Sequence, residues 1–227
     1  MKSFSLIVPI AADKPAYEHE MPYVFGLASD GIMICIKAIL GLNLEKFDNI
    51  YFTILKKHDE LYSISDLFNL QFKRLKLGKA KVVILKESTA SQPETIYRTI
   101  QQENIDGSIF IKDADCSFTC VVEPINSIAI YPLEQLEWVN PQHKSYVSID
   151  DMYYVTNIIE KKIISNYFSA GGYCFEKSNI FVDYYKKLSK DKHIYISHII
   201  YAMLLDRFIF RPIELKDYCD FDSNQKK

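Results

Sequence analysis

The stretch "GSIFIKDADCSF", residues 107–118, joins a short apolar run to two aspartates that are one residue apart. A brief, β-branched run of this kind is typical of a buried strand. Asp113 and Asp115 follow it at spacing i, i+2, so an extended backbone would point both carboxylates the same way. Two interpretations are open. The pair could offer hard oxygen ligands to Mg²⁺ or Mn²⁺, or it could form an ordinary acidic turn that accepts local hydrogen bonds.

The first half of the chain alternates apolar runs with amphipathic segments. The runs at 5–11, 50–55, 81–85 and 108–111 predict buried strands. Helices are predicted after Asp30-Gly31, over 58–75, and from Ser91, where "SQPE" reads as a capping box. Strand–helix alternation predicts a parallel sheet whose ligands bind beyond the carboxyl ends of the strands. Asp113 and Asp115 should lie at that edge, which favours the metal interpretation.

The second half is richer in strands. We predict strands at 127–133, 146–150, 152–159 and 167–175, then two helices, the second at 195–206, and a last strand at 208–215. The strands at 146–150 and 152–159 should form an antiparallel hairpin. The predicted fold class is therefore α/β, a three-layer Rossmann-like structure. Its mostly parallel sheet carries helices on both faces, and its second half is rich in antiparallel strands.

Composition excludes several classes of protein. The 227 residues are 48% hydrophobic and 25% charged with a net charge of −2, so no broad nucleic-acid surface is indicated. No apolar run approaches the roughly 18 to 20 residues of a membrane helix. The five cysteines form no CxxC pair, which favours free thiols in a reducing compartment. We expect a cytoplasmic protein with no nucleic-acid partner and no membrane insertion, and we leave homo-oligomer formation open.

Three strings resemble segments of the sugar-phosphate nucleotidyltransferase superfamily, which shares its fold with metal-dependent GT-A glycosyltransferases. "FIKDADCSF" (110–118) is similar to the strand that ends in the family's metal-binding aspartate, which matches Asp115, with Asp113 as the auxiliary. "KDYCDFDS" (216–223) resembles the string Y-x-D-W-G-T, whose aspartate is the second metal ligand and matches Asp220. "NYFSAGGYCF" (166–175) is similar to the glycine-containing strand of the sugar-phosphate pocket, which assigns Gly171 and Gly172 to substrate binding.

A fourth string, "TASQPETI" (89–96), resembles the T-x-G-Q-x-x-T segment that opens a helix beside the nucleotide base. Thr89, Gln92 and Thr95 match this pattern, and Ser91 stands where glycine is usual. The resemblance implies that Thr89, Ser91 and Gln92 border the nucleotide.

The loop after the first strand departs from the family. Relatives carry a glycine-rich loop with an arginine, followed by a K-P pair. Here "PIAADKPAYEHEMPYVFGL" (9–27) has no glycine before Gly26 and no arginine, and Met21 precedes Pro22. The resemblance assigns Pro9, Ala11 and Ala12 to nucleotide binding. It leaves Lys14 as the loop's cation for catalysis, beside Asp115.

The resemblance implies a nucleotidyltransferase that uses Mg²⁺ or Mn²⁺. It would join a nucleotide from an NTP to a sugar phosphate or small phospho-compound for surface polysaccharide such as capsule. One domain over 1–227 is expected, with a nucleotide-binding half at 1–118 and a substrate-binding half at 119–227. One alternative is a GT-A glycosyltransferase acting on a nucleotide sugar. Another is a non-catalytic nucleotide-sugar-binding relative, which the altered loop favours.

Overall fold

The computed structural model describes residues 3–11, 20–136, 144–189 and 194–221. The strands are β1 (Phe4–Ile10), β2 (Asn49–Leu55), β3 (Ala80–Leu85), β4 (Ser108–Lys112), β5 (Cys116–Thr119), β6 (Ser127–Pro132), β7 (Ser145–Ile149), β8 (Val155–Glu160), β9 (Tyr167–Phe175), β10 (Arg211–Glu214) and β11 (Lys216–Asp220). The helices are α1 (Ile34–Lys37), α2 (Lys56–Tyr62), α3 (Ile64–Arg74), α4 (Gln92–Glu103), α5 (Ser178–Leu188) and α6 (Ile196–Leu205).

A central sheet takes strands from both halves of the chain. Within the described ranges it has nine strands, in the order β10-β6-β9-β4-β1-β2-β3, with β7 paired to β9 and to β8. The first four strands pair in parallel, and β9 runs antiparallel to both β4 and β6. β5 and β11 form a separate antiparallel pair. The predicted strands of both halves are confirmed, including the β7–β8 hairpin.

Both faces of the sheet are covered, as alternation along β1 requires. Leu6 and Val8 belong to a core cluster that contains Phe68 of α3, and Ile7 belongs to a second cluster with Ile96 of α4. Each such side chain contributes roughly 1.5–3 kcal/mol when it leaves water. Helices α5 and α6 also pack into the second cluster. The three-layer α/β architecture is therefore confirmed.

The predicted helix over 58–75 is two helices, because the chain turns at Ser63. Ser63 adopts the left-handed conformation with φ 51°. Asp59 supports the break: its carbonyl accepts from the Ser63 N–H at 2.8 Å and its carboxylate from the Ser65 N–H at 2.7 Å. The apolar periodicity continues across the break, so the sequence pattern alone gave one helix. The helix predicted after Gly31 is shorter than expected, a single turn at Ile34–Lys37.

Helix α4 begins where the capping signal placed it. Ser91 is the N-cap, and its hydroxyl accepts the N–H of Glu94 at 3.4 Å. The Glu94 carboxylate accepts from the N–H of Ala90 at 2.7 Å, one residue earlier than a capping box requires. Two hydrogen bonds between side chains and the backbone therefore fix the first turn of α4 at the sheet edge.

The strand order creates a crevice at one edge of the sheet. From β1 the chain moves to β2 and β3 on one side, then returns to β4 on the other side of β1. Ligands of open α/β sheets bind where the strand order reverses in this way, beyond the carboxyl ends. Asp113 directly follows β4 at this point.

Composition predicted that the chain has no membrane helix and that its cysteines are free thiols. No helix in the described ranges is long and apolar enough to cross a bilayer. All five cysteines are free. Cys35, Cys116 and Cys174 are buried, and Cys120 and Cys219 are partly so.

Candidate active site

A cavity of about 310 Å³ opens beside the carboxyl end of β4. This volume is at the lower end of the range for small-molecule sites. Its lining is mainly polar. The polar residues are Gln92, Asp113, Asp115, Lys144, Ser145, Glu160, Lys161, Ser169, Tyr173, Tyr195, Ser197 and Tyr218.

The turn that carries the two aspartates is built around Lys112, whose side chain is fully buried. The Lys112 ammonium donates to the carbonyl oxygens of Asp113 and Cys116, both at 2.9 Å, and contacts the Cys116 sulfur at 3.1 Å. It also lies 4.4 Å from the centre of the Phe118 ring. One buried cation therefore fixes the backbone on both sides of Asp115. A lysine that ends an otherwise apolar strand is a sequence signal for a buried cation of this kind.

Asp113 connects three segments that the sequence assigned to different roles. Its carboxylate oxygen Oδ1 accepts from the Gln92 amide at 2.6 Å, and its N–H donates to the Gly171 carbonyl at 2.8 Å. The expected nucleotide segment, acidic turn and substrate strand therefore meet at one point.

The two adjacent glycines of β9 face different surroundings. Gly171 has φ +79°, and a Cβ there would lie 2.5 Å from Oδ2 of Asp113. Gly172, also predicted to bind substrate, packs inward, where a Cβ would come within 2.8 Å of Ala129 and 2.9 Å of Phe110. Gly171 lines the cavity. Gly172 has no side chain, so β9 can pack closely against the apolar core at this position.

We expect Gly171→Ala to lower the free energy of unfolding by about 1–3 kcal/mol and to displace Asp113. The left-handed backbone disfavours a Cβ, and the new methyl group overlaps a carboxylate already tied to Gln92. Urea unfolding measures the loss. Gly78→Ala is the matched control, because no atom lies within 4 Å of its added Cβ, so it should change stability by less than about 1 kcal/mol. Equal effects of the two changes would contradict the close approach at Gly171.

Asp115 and Asp220 are neighbours across the β5–β11 pair. Asp220 is in register with Cys116, and the N–H of Phe221 donates to the Asp115 carbonyl at 2.9 Å. Asp115 lines the cavity and is an exposed residue, but neighbouring protein atoms crowd its carboxyl and remove part of its hydration. This desolvation, and next the negative charge of Asp113, raise the pKa of Asp115 to about 6. The two neighbouring carboxylates of the turn therefore disfavour each other's negative charge.

Lys144, which sequence reasoning missed, supplies a second cation. Its ammonium is 2.7 Å from Oδ2 of Asp220 and 2.9 Å from the Tyr218 hydroxyl. It also lies over the rings of Phe168 and Tyr218. Burial alone would lower the pKa of Lys144, but the hydrogen bond and charge of Asp220 outweigh it and the pKa is raised.

Asp115 and Asp220 suit a divalent ion that takes only one or two of its ligands from the protein. Over the ranges that the structure describes, no three His, Cys, Asp or Glu side chains are arranged as a metal site. Mg²⁺ is commonly bound by only one or two carboxylates together with phosphates and water. Asp115 and Asp220 fit that mode, in which the ion is shared with a ligand, and Asp113 is engaged by Gln92.

Another part of the cavity lining combines the carboxylate of Glu160 with the ammonium of Lys161. Oε2 of Glu160 accepts from the Ser145 hydroxyl and from the Ser197 hydroxyl at 2.7 Å. The Lys161 ammonium donates to the Tyr195 hydroxyl at 2.9 Å. These groups come from β7, the end of β8 and the start of α6. Only the fold brings them together, so their spacing along the chain does not indicate a common site.

Of the predicted nucleotide residues that the structure describes, Gln92 lines the cavity, whereas Pro9, Ala11, Thr89 and Ser91 are not part of its lining. Thr89 is buried, and its hydroxyl donates to the Ala11 carbonyl at 3.1 Å, which ties the end of β1 to the start of α4. Pro9 lies within β1, and Ser91 caps α4. Ala12 and Lys14 fall in the 12–19 segment, outside the described residues.

Comparison with known proteins supports the fold. No family model matches the chain, and no curated protein sequence matches it. Among solved structures, it is similar to the nucleoside-diphosphate-sugar pyrophosphorylase of Vibrio cholerae, with TM-score 0.78, 14% identity, and 97% and 98% of the two chains covered. The inositol-1-phosphate CTP transferase of T. maritima gives TM-score 0.72 and 14% identity over 96% and 87%. A UDP-glucose pyrophosphorylase complexed with UDP-glucose gives 0.69 and 12% over 99% and 95%.

Proposed function

Since the chain has the fold of the sugar-phosphate nucleotidyltransferases, we propose that it transfers a nucleotidyl group from an NTP to a phosphorylated small molecule. The acceptor would be a sugar phosphate or a related phospho-compound. One observation carries this proposal: Asp115, Lys144 and Lys161 line one cavity, and Asp220, which forms a carboxylate pair with Asp115, contacts the Lys144 ammonium. Carboxylates can share an ion with a triphosphate, and ammonium groups can neutralise an acceptor phosphate.

The reaction is an in-line displacement at the α-phosphorus. An oxygen of the acceptor phosphate forms the new P–O bond, the bond to the β-phosphate oxygen breaks, and pyrophosphate leaves. No covalent enzyme intermediate is needed, so the chain contributes positioning and charge stabilisation. Lys161 would bind the acceptor phosphate, and Glu160, oriented by two serines, would accept hydrogen bonds from acceptor hydroxyl groups.

Mg²⁺ or Mn²⁺ is the expected cofactor, held by Asp115 and Asp220 with Asp113 assisting. Bound there, the ion would neutralise phosphate charge. Thr89, Ser91 and Gln92, with the end of β1 at Pro9 and Ala11, would border the nucleotide.

The wider setting follows from the reaction. We place the protein in the cytoplasm, where NTPs are available, and in surface polysaccharide biosynthesis, which consumes the activated product. The whole chain would act as one domain, with 1–118 on the nucleotide side and 119–227 on the acceptor side.

Pyrophosphate release tests the proposal. Each of the four NTPs should be combined with glucose 1-phosphate, other sugar 1-phosphates and inositol 1-phosphate, with Mg²⁺ or with EDTA. We expect at least one pair to release pyrophosphate in a Mg²⁺-dependent manner. A parallel assay for nucleoside diphosphate release from nucleotide sugars separates glycosyl transfer. Diphosphate release without pyrophosphate release would replace the proposal with a glycosyltransferase.

A further inference from the structure

An internal cation already occupies part of the carboxylate site. The Lys144 ammonium contacts Oδ2 of Asp220 at 2.7 Å, and its charge also acts on Asp115. Any divalent ion that binds these two carboxylates must therefore compete with Lys144 for Asp220.

Lys144 is held by more than this ion pair. The Tyr218 hydroxyl lies 2.9 Å from its ammonium, and the ring centres of Phe168 and Tyr218 lie 5.4 and 5.5 Å away. Aromatic faces attract cations. If Asp220 binds a metal ion instead, these contacts would still hold the Lys144 ammonium at the cavity wall. Phosphate oxygens of a ligand could then reach it.

Lys112 does not play the same part. Its ammonium is fully buried and directed at main-chain carbonyls, so it cannot leave the turn without unfolding it. Lys144 lines the cavity and its side chain is 19% exposed. Of these two lysines, Lys144 is the one that combines contact with a carboxylate of the pair and access to a ligand.

We propose that Lys144 determines when the site binds metal. In the nucleotide-free protein it competes with the divalent ion for Asp220 and keeps the affinity for free metal low. A metal–triphosphate complex binds because its phosphate oxygens give Lys144 a new anionic partner while Asp115 and Asp220 bind the ion. The inference rests on the proposed function for the identity of this complex, and it makes metal binding conditional on nucleotide.

Binding of Mn²⁺ to the nucleotide-free full chain tests it, measured from the free-ion signal in electron paramagnetic resonance. Lys144→Met should bind Mn²⁺ about tenfold or more tightly than the wild type, because the carboxylates then lack their counter-cation. Lys144→Arg keeps the charge and should bind as weakly as the wild type. Lys161→Met removes a lysine of the same cavity whose ammonium bonds Tyr195, and it should change the affinity by less than about twofold.

Two further measurements complete the test. Lys144→Met combined with Asp220→Asn should return to weak binding, which locates the gained affinity at the carboxylate pair. Adding each NTP to the wild type should increase the protein-bound Mn²⁺ for at least one of them, after the Mn²⁺ bound by the same NTP in a protein-free control is subtracted. The proposal is overturned if folded Lys144→Met binds Mn²⁺ no more tightly than the nucleotide-free wild type does.

These outcomes are separable from failure of the proposed function. Tight, Asp220-dependent Mn²⁺ binding by Lys144→Met without turnover of any NTP and phosphate would uphold the role of Lys144 and reject nucleotidyl transfer. Pyrophosphate release together with unchanged Mn²⁺ affinity in Lys144→Met would do the reverse.

Discussion

Replacing Asp115 by asparagine should reduce pyrophosphate release by about 10²–10³ or more without destabilising the fold. The rate falls because a neutral amide binds a divalent cation much more weakly than a carboxylate does, and that cation would neutralise the charge of the triphosphate. Stability should be unchanged or higher, because the raised pKa shows that the folded protein disfavours the ionised carboxylate of Asp115. Steady-state turnover and thermal unfolding of the same preparation measure the two effects.

The matched control for this change is Asp151→Asn in the β7–β8 turn. Asp151 is exposed and lies outside the cavity lining, so this variant changes net charge by the same amount without touching the site. It should keep wild-type turnover. If Asp115→Asn retained full activity, the carboxylate pair would not be part of the reaction. If it lost activity only together with stability, its role would be structural.

The second large effect is expected at Lys112. Lys112→Met should lower the free energy of unfolding by about 3–5 kcal/mol, since it leaves one buried and one partly buried carbonyl without this donor and removes the cation beneath the aspartate turn. Methionine has a similar length, so the loss would come from hydrogen bonds and charge rather than from a cavity. Chemical denaturation with urea gives the value.

A second lysine of the same chain provides the comparison. Lys79 also donates to two carbonyls, those of Glu45 at 3.1 Å and Phe47 at 2.7 Å, but it is exposed. Water can replace its donors, so Lys79→Met should cost less than about 1 kcal/mol. A loss at Lys79 as large as that at Lys112 would mean that burial does not govern the effect.

The sequence predicted much of the sheet because local patterns specify strands. Apolar runs located β1 to β4 and β9 to within a residue or two, and the capping signal located α4. The break at Ser63 was missed because it depends on hydrogen bonds to Asp59, which apolar periodicity does not record. Helix geometry was predictable only where a local signal marked it.

The candidate site was predictable only in part, and for a physical reason. Asp113 and Asp115 carried a visible spacing, and resemblance supplied Asp220. Lys144 contacts Asp220 across 76 positions of sequence, and Ser197 reaches Glu160 across 37. Such pairs arise from strand order, which short motifs do not encode. Lys144 and Lys161 therefore became visible as cations of the site only in the fold.

The antiparallel placement of β9 has a consequence for synthesis on the ribosome. β4 is paired on one side by β1, and its other side remains open until Tyr167–Phe175 has been made. Translation proceeds at about 5–20 residues per second, so the nascent chain displays an unpaired edge with Ile109, Phe110 and Ile111 for a few seconds. Edges of this kind can pair with the same strand of a neighbouring nascent chain. The yield of folded protein should therefore depend on chaperones that shield the first half until the second arrives.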